Sequence, residues 1–216
     1  MGHLRFSQGY HCGILGKNMT EERSMELLNA LREYVPWNQQ ERQDQTEMLR
    51  RLENGEPLLG RENRSAHLTA SAWVVSPARD QVLMAYHNLY DSWAWLGGHA
   101  DGEEDLLSVA IREVQEESGL SDVRPVSEDI FSLEILAVSG HEKRGKYIPS
   151  HLHLNVTYLL EADPKAPVRC KADENKGVAW FGLDEAVAAS REPWFQERVY
   201  QKLNAKLVEF CRMEEK

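Results

Sequence analysis

The sequence predicts an α/β fold in which helices cover a mixed β-sheet. Strand-like and helix-like segments alternate irregularly along the chain, which is typical of this arrangement. Of the 216 residues, 42% are hydrophobic and 28% are charged, the balance of a globular protein with a sizeable core. The length fits one domain with an extension, or two very small domains.

The N-terminal part predicts a loose tail followed by two helices. Residues 1–18 lack periodicity and contain four glycines. Apolar residues at helical spacing begin near Thr20, and Pro36 ends this helix; a second helix covers residues 38–52. The two helices are interpreted as a cap packed on the main domain, with a substrate-gating role as the alternative.

The remainder predicts short strands interrupted by one long helix and closed by another. Alternating apolar residues indicate strands at 67–76, 81–87, 130–140, 152–160 and 178–181, the first two resembling a hairpin. A short apolar stretch covers residues 93–96. Helical spacing indicates helices at 105–118, 184–189 and 194–212.

Composition excludes several classes of protein. The formal net charge is -10, with 35 acidic residues against 25 Lys plus Arg, so broad binding of nucleic acid is disfavoured. No apolar run approaches the roughly 20 residues of a membrane span, and we expect neither a membrane partner nor a signal peptide. Three widely spaced cysteines, Cys12, Cys170 and Cys211, suit a reducing cytoplasm.

The stretch from Gly97 to Leu120 carries the chemistry. With residues 105–118 on a helix at 100° per residue, the apolar side chains share one arc. Glu113, Glu116 and Glu117 then lie at the edge of that apolar face rather than opposite it. Gly119 occupies the usual position that ends a helix.

Three carboxylates within about one turn repel one another unless a cation lies among them. Clustered hard oxygen ligands suit Mg²⁺, or Mn²⁺, rather than zinc. Arg112 is placed to brace Glu116 through a hydrogen bond. The alternative is a solvated acidic helix end without any ligand.

This stretch resembles the Nudix box, G-x5-E-x7-R-E-U-x-E-E-x-G-U, where U is bulky and aliphatic. The matching residues are Gly98, Glu104, Arg112, Glu113, Val114, Glu116, Glu117, Gly119 and Leu120. Two positions depart from common family usage: Leu96 stands where proline is frequent, and Glu103 where glycine is frequent. Neither departure removes a ligand.

The resemblance implies a Nudix-like α/β/α sandwich with a mixed sheet, an N-terminal helical extension and a C-terminal helix. The expected division is a tail and extension at 1–60, a Nudix domain at 61–190 and a closing helix at 191–216. It further implies Mg²⁺-dependent hydrolysis of a diphosphate linkage in a nucleoside diphosphate derivative. The physiological substrate stays open, and a homodimer is possible.

The same resemblance implies roles for individual residues. The metal ligands would be Gly97, through its carbonyl, with Glu113, Glu116 and Glu117. Arg112 would support the catalytic carboxylates Glu113 and Glu116. A glutamate outside the box, Glu174, is the expected general base. Its rivals are Asp173, Glu113, His151 and His153.

Candidate substrate contacts come from side chains near the box. His151 and His153 begin a strand with one polar face, and they could contact phosphate, donate a proton or add to a metal site. His99 follows the paired glycines, and Tyr90 belongs to an aromatic group that could stack on a base. Each could instead serve packing alone.

Two other functions compete with hydrolysis. A non-catalytic Nudix-fold module that senses a ligand has no need of the intact carboxylates. An isomerase resembling isopentenyl diphosphate isomerase needs a cysteine on a strand near the metal, and none of the three cysteines is suitably placed.

Overall fold

The structure is a computed structural model that describes residues 25–143 and 145–214. The predicted tail at residues 1–18 and the predicted helix start near Thr20 lie outside these residues. Among the described residues, no helix is long and apolar enough to cross a membrane.

One mixed sheet of eight strands organises the chain. Its strands are β1 (Ala66–Val75), β2 (Gln81–His87), β3 (Ser92–Ala94), β4 (Leu96–His99), β5 (Val123–Pro125), β6 (Ser132–Val138), β9 (His151–Ala162) and β10 (Asn175–Gly182). A separate hairpin joins β7 (His141–Lys143) and β8 (Lys146–Ile148). The main path runs β10-β2-β1-β9-β5, with β3 paired to β2, β4 to β1 and β6 to β9.

The central pair β1 and β9 is parallel, and the other pairs in the described residues are antiparallel. All ten residues of β1 are buried, because helices cover both faces of the sheet. Helix α3 (Leu106–Ser118) packs Val109, Ala110 and Val114 into the same core as the even-numbered side chains of β1.

The opposite face is covered by the C-terminal helices. These are α4 (Leu183–Ala189), the short α5 (Pro193–Phe195), a π-helical turn (Gln196–Tyr200) and α6 (Gln201–Glu214). Trp73 of β1 is fully buried here, and its ring stacks on that of Tyr200 with centroids 5.6 Å apart. The predicted sandwich of helices on both faces of a mixed sheet is confirmed.

The second of the two N-terminal helices lies against an edge of the sheet. Residues 25–33 are helical (α1), and α2 spans Gln39–Glu53, where Asn38 caps it by accepting a hydrogen bond from the backbone N–H of Glu41. The backbone N–H of Ile135 in β6 donates to Asp44 of α2 at 3.1 Å. Helix α2 therefore covers an edge strand that would otherwise be open to pairing with another chain.

Three details differ from the sequence predictions. Strand β5 and the β7–β8 hairpin were not predicted, because segments of three residues are too short to display a period. The predicted hairpin of β1 and β2 consists of one register pair, Val75 with Val82, while most of β1 pairs with β4 and β9.

Candidate functional site

The loop before α3 brings backbone and carboxylates into contact. Strand β4 contains the paired glycines and packs directly beside α3. A Cβ atom at Gly98 would overlap the carboxylate of Glu113, so a side chain at this position would displace Glu113. Gly98 therefore allows the close approach of strand and helix that the site requires.

The three box glutamates differ in exposure. Glu117 is 7% exposed, and its Oε2 accepts a hydrogen bond from the backbone N–H of Gly97 at 3.3 Å. Glu113 is half-buried and accepts from Arg112 at 3.0 Å. Glu116 is the most exposed, and one of its oxygens lies 4.0 Å from Nε of Arg112. The solvent exposure of the carboxylates thus increases from Glu117 through Glu113 to Glu116.

The surroundings of the buried carboxylates disfavour their charge. Burial, with the nearby charges of Glu113 and Glu174, raises the pKa of Glu117 to about 8. Burial also raises the pKa of Glu113, although Arg112 opposes the shift. A bound cation would reverse both effects, and oxygen donors of this kind fit Mg²⁺ or Mn²⁺. The residues present therefore fit the expected metal.

Lys171 links the box helix to the loop that carries the expected base. Its Nζ donates to Glu116 at 2.9 Å and lies 3.0 Å from Glu174. The side chain of Asn175 donates to the carbonyl of Glu117 at 3.0 Å and holds the start of β10 on the end of α3. Lys171 was not predicted from the sequence, because its contact with Glu116 spans 55 residues and has no local signal.

An open, polar pocket adjoins the carboxylates. It is lined by Ala100, Asp101, Gly102, Glu103, Arg112, Glu113 and Glu116. At its rim, Arg61 makes two 2.6 Å hydrogen bonds to Asp101. The pocket places basic and acidic groups beside one another, as a site for a metal–phosphate complex needs.

The four candidate substrate contacts lie in two different places. Tyr90 is 44% exposed between β2 and β3, with its ring centroid 4.6 Å from that of His87. The neighbouring Asn88 donates its backbone N–H to the carbonyl of Glu174 at 3.0 Å, so this loop adjoins the loop of the expected base. The three histidines lie elsewhere.

His99, His151 and His153 lie on the face of the sheet opposite α3. His99 pairs in register with Thr69, and His153 with His67, whereas α3 packs on the even-numbered residues of β1. Burial, together with the neighbouring histidines, lowers the pKa of His153 to about 2, and burial lowers the pKa of His67. These two imidazoles are therefore neutral at pH 7.

The polar face of β9 exists as predicted, but it points away from the box helix. Asn155 and Thr157 are buried, and both donate to the carboxylate of Glu134 on β6. Alternation alone identifies a polar face without indicating which helices cover it. Asn155 and Thr157, which continue the polar face begun by the two histidines, therefore do not face α3.

Comparison with known proteins identifies the family. A model of the NUDIX domain matches residues 66–203, more than half of the chain. The chain belongs to the Nudix family.

Two curated relatives match part of the chain. The chain is 34% identical over 119 residues to m7GpppN-mRNA hydrolase NUDT17 of Xenopus laevis, covering 53% of this chain and 38% of that protein. It is 27% identical over 95 residues to the bis(5'-nucleosyl)-tetraphosphatase [asymmetrical] of Rattus norvegicus, covering 44% of this chain and 58% of the relative. The matches thus span less than two thirds of either relative.

Solved structures also resemble the chain at low identity. A binary complex of the C. elegans Ap4A hydrolase is 21% identical, with 67% of this chain and 97% of that chain covered and a TM-score of 0.49. The E. coli dihydroneopterin triphosphate pyrophosphohydrolase is 14% identical, with 62% and 92% covered and a TM-score of 0.47.

Proposed function

We propose that this Nudix protein is a Mg²⁺-dependent pyrophosphohydrolase of nucleotide derivatives. The observation that carries the proposal is the convergence of Glu113, Glu116 and Glu117 beside the backbone of Gly97, in surroundings that a cation would stabilise. Family membership supports hydrolysis as the class of reaction.

The metal would be held by the three box carboxylates and the carbonyl of Gly97. When bound, Mg²⁺ neutralises phosphate charge, orients the diphosphate and acidifies a coordinated water. Mn²⁺ has the same ligand preference and is the expected substitute. The net charge of -10 favours a bound cation as the group that offsets the charge of an anionic substrate.

The remaining residues position the carboxylates or accept a proton. Lys171 holds Glu116 and Glu174 by the two contacts described, which directs both carboxylates to one side of the site. Glu174 then accepts a proton from the attacking water. Arg112 fixes Glu113 and also donates to the carbonyl of His99 at 3.4 Å, so it ties α3 to the glycine loop.

For the substrate, we propose nucleotides whose phosphates bridge two groups. The names of the two curated relatives describe an m7GpppN cap and a bis(5'-nucleosyl) tetraphosphate, which share this feature. Tyr90 is exposed beside the loop of Glu174, which supports the proposal that its ring contacts a base. Cytoplasmic location and a homodimer stay predictions.

The test is a screen of dinucleoside polyphosphates, cap analogues and nucleoside diphosphate sugars with Mg²⁺ or Mn²⁺, with products separated by chromatography. We expect turnover of at least one substrate. Glu116→Gln and Glu117→Gln should each reduce kcat on the order of 100-fold or more in folded protein, because each removes charge from the metal site. Glu174→Gln should also lose turnover, while Asp173→Asn, its exposed neighbour, should keep it.

Glu209→Gln, partly exposed on α6, serves as the matched control and should retain full activity. Near-normal turnover in both box variants would contradict the metal-site assignment. A wild-type protein that is thermally stabilised by nucleotide and Mg²⁺, yet turns over no substrate, would instead identify a ligand-sensing module.

A further inference from the structure

Four histidines from three neighbouring strands meet on the sheet face opposite α3. His67 lies on β1, His99 on β4, and His151 and His153 on β9. Ring centroids are 5.0 Å apart for His67 and His99, 5.0 Å for His67 and His153, and 4.8 Å for His99 and His153. Such a concentration of imidazoles is unusual for packing alone, because each ring nitrogen needs a polar partner when buried.

The hydrogen bond of His67 fixes its tautomer. Its Nδ1 lies 3.3 Å from the carbonyl oxygen of Asn63, and a carbonyl can only accept, so Nδ1 carries the proton. Nε2 is then the lone-pair nitrogen. It is buried and has no hydrogen-bond partner among the described residues. A ring whose N–H is held by a carbonyl and whose other nitrogen is vacant is the usual form of a metal-binding histidine.

A second chain of hydrogen bonds orients His153. The Nδ1 of His151 donates to the carbonyl of Pro149 at 2.8 Å, because a carbonyl can only accept. Nε2 of His151 lies 3.2 Å from Nε2 of His153, so the two rings share a hydrogen bond. When Nε2 of His153 is the donor, the lone pair of His153 is on Nδ1, and His151 acts as the partner that holds the ring.

We propose that His67, His99 and His153 bind one divalent transition-metal ion, with Zn²⁺ the best fit, and that His151 positions His153. One ring nitrogen from each of the three lies within 4.8 Å of the others. Zinc–nitrogen bonds of about 2.1 Å in a tetrahedral site place ligand nitrogens roughly 3.4 Å apart. Small side-chain rotations would bring the three nitrogens to that spacing.

This site is distinct from the carboxylate site in both place and chemistry. The imidazoles occupy the face of Thr69, and the box carboxylates occupy the face of Ala70. At the ends of the strands, Arg61 interacts electrostatically with members of both groups, and Asp101 interacts with the imidazoles and with Arg112. Neutral imidazole prefers zinc and its neighbours in the transition series, whereas carboxylates prefer Mg²⁺. The lone pair on Nε2 of His67 would also repel a phosphate oxygen, which disfavours an anion at that nitrogen.

The experiment measures Zn²⁺ binding to untagged, full-length protein by calorimetry in excess Mg²⁺, and the absorption of the Co²⁺ form. We expect one Zn²⁺ per chain and visible Co²⁺ bands typical of tetrahedral coordination. His67→Gln and His153→Gln should each weaken Zn²⁺ binding at least about 100-fold, and His151→Gln about 10- to 100-fold. His141→Gln, a nearby histidine outside the proposed ligand set, and Glu116→Gln should leave it unchanged.

A readout on the wild-type protein avoids any folding defect of the variants. Long-range ¹⁵N–¹H spectra of the imidazoles should show three rings shifted by one equivalent of Zn²⁺ and unshifted by Mg²⁺. The proposal is overturned if Zn²⁺ does not bind, if Glu116→Gln abolishes binding, or if pyrophosphate rather than Zn²⁺ shifts these rings. Loss of hydrolysis in the wild type would leave this result unaffected, so the two proposals fail separately.

Discussion

Gly119 shows how one residue couples the end of the box helix to the loop that follows. Its φ of 74° lies in the left-handed region, where a side chain is strained. A Cβ at this position would also overlap the side chain of Arg169, whose backbone N–H donates to Ser118 at 2.8 Å. Glycine here thus satisfies a conformational and a steric requirement at once.

Gly119→Ala should therefore destabilise the protein by more than Gly55→Ala. Gly55 has a similar φ of 68°, but a Cβ added there would meet no described atom within 4 Å, so it measures conformational strain alone. That strain is on the order of 1–2 kcal/mol. The additional loss at Gly119 reports the displacement of Arg169. Urea denaturation of both variants gives the two free energies of unfolding. Equal decreases would mean that the side chain of Arg169 moves aside at no measurable cost in free energy.

At the scale of elements, the sequence predicted most of the helices and strands that are long enough to repeat their pattern several times. Helices α2 and α3, strand β2 and the closing helix were located within a few residues, because each repeats its pattern several times. The box glutamates were placed by the same helical period. Strand register could not be predicted, and the four histidines meet only because β1, β4 and β9 pair in a particular register. That dependence is non-local and leaves no trace in neighbouring residues.

Helix α2 is more than a surface addition, because it completes the hydrogen bonding of an edge strand. The backbone N–H of Ile135 has Asp44 as its acceptor, and within the described parts of the chain β6 has no strand on that side. Burial raises the pKa of Asp44 even though the Ile135 N–H favours its charged form. A neutral oxygen acceptor at position 44 would consequently accept the hydrogen bond of Ile135 about as well as a charged carboxylate.

We expect Asp44→Ala to lower the free energy of unfolding by about 1–3 kcal/mol, because the backbone donor of Ile135 loses its partner. Asp44→Asn retains an oxygen in the same place and should lose much less. Chemical denaturation of the pair, with size-exclusion chromatography to detect association through β6, measures both effects. Equal losses in the two variants would show that the hydrogen bond contributes little.

At the scale of the whole molecule, a buried ionic network joins distant parts of the chain. Glu41 of α2 and Glu134 of β6 are both fully buried, and Lys202 of α6 lies 3.1 Å and 2.9 Å from their carboxylates. Lys206 adds a 3.0 Å contact to Glu41. Two carboxylates and two ammonium groups balance in charge, so the N-terminal extension, the sheet and the last helix depend on one another.

This network could not be predicted from the sequence, for a physical reason. Helix α2 is rich in Gln, Glu and Arg, and such a helix normally exposes its glutamates to solvent. Glu41 is buried because its partner Lys206 comes from a helix 165 residues later, and no local pattern encodes that pairing. The ion pairs connect the predicted extension at 1–60 and the predicted domain at 61–190 through Lys202 of the closing helix, and this division of the chain stays a prediction.

The pH dependence of stability should report this network directly. Burial by itself would raise the pKa of Glu41, but Lys202, Lys206 and the hydroxyl of Tyr34 outweigh it and lower the pKa from 4.5 to about 2. A lowered pKa stabilises the folded state above the unfolded value, and that stability is lost as the pH falls from about 4.5 towards 2. The size of the effect is on the order of 3 kcal/mol.

Glu41→Gln removes this charge, so the variant should have a lower free energy of unfolding than the wild type at pH 7. The difference between the two free energies should decrease steadily below pH 4.5. Urea denaturation from pH 7 to pH 3 measures this difference at each step. Glu209→Gln, whose partner Arg212 is exposed on the same helix as Lys202, should follow the wild type throughout, because surface ion pairs contribute little. A difference in free energy of unfolding that stays constant down to pH 3 would mean that Glu41 stabilises the fold by packing and hydrogen bonding. Its charge would then contribute nothing.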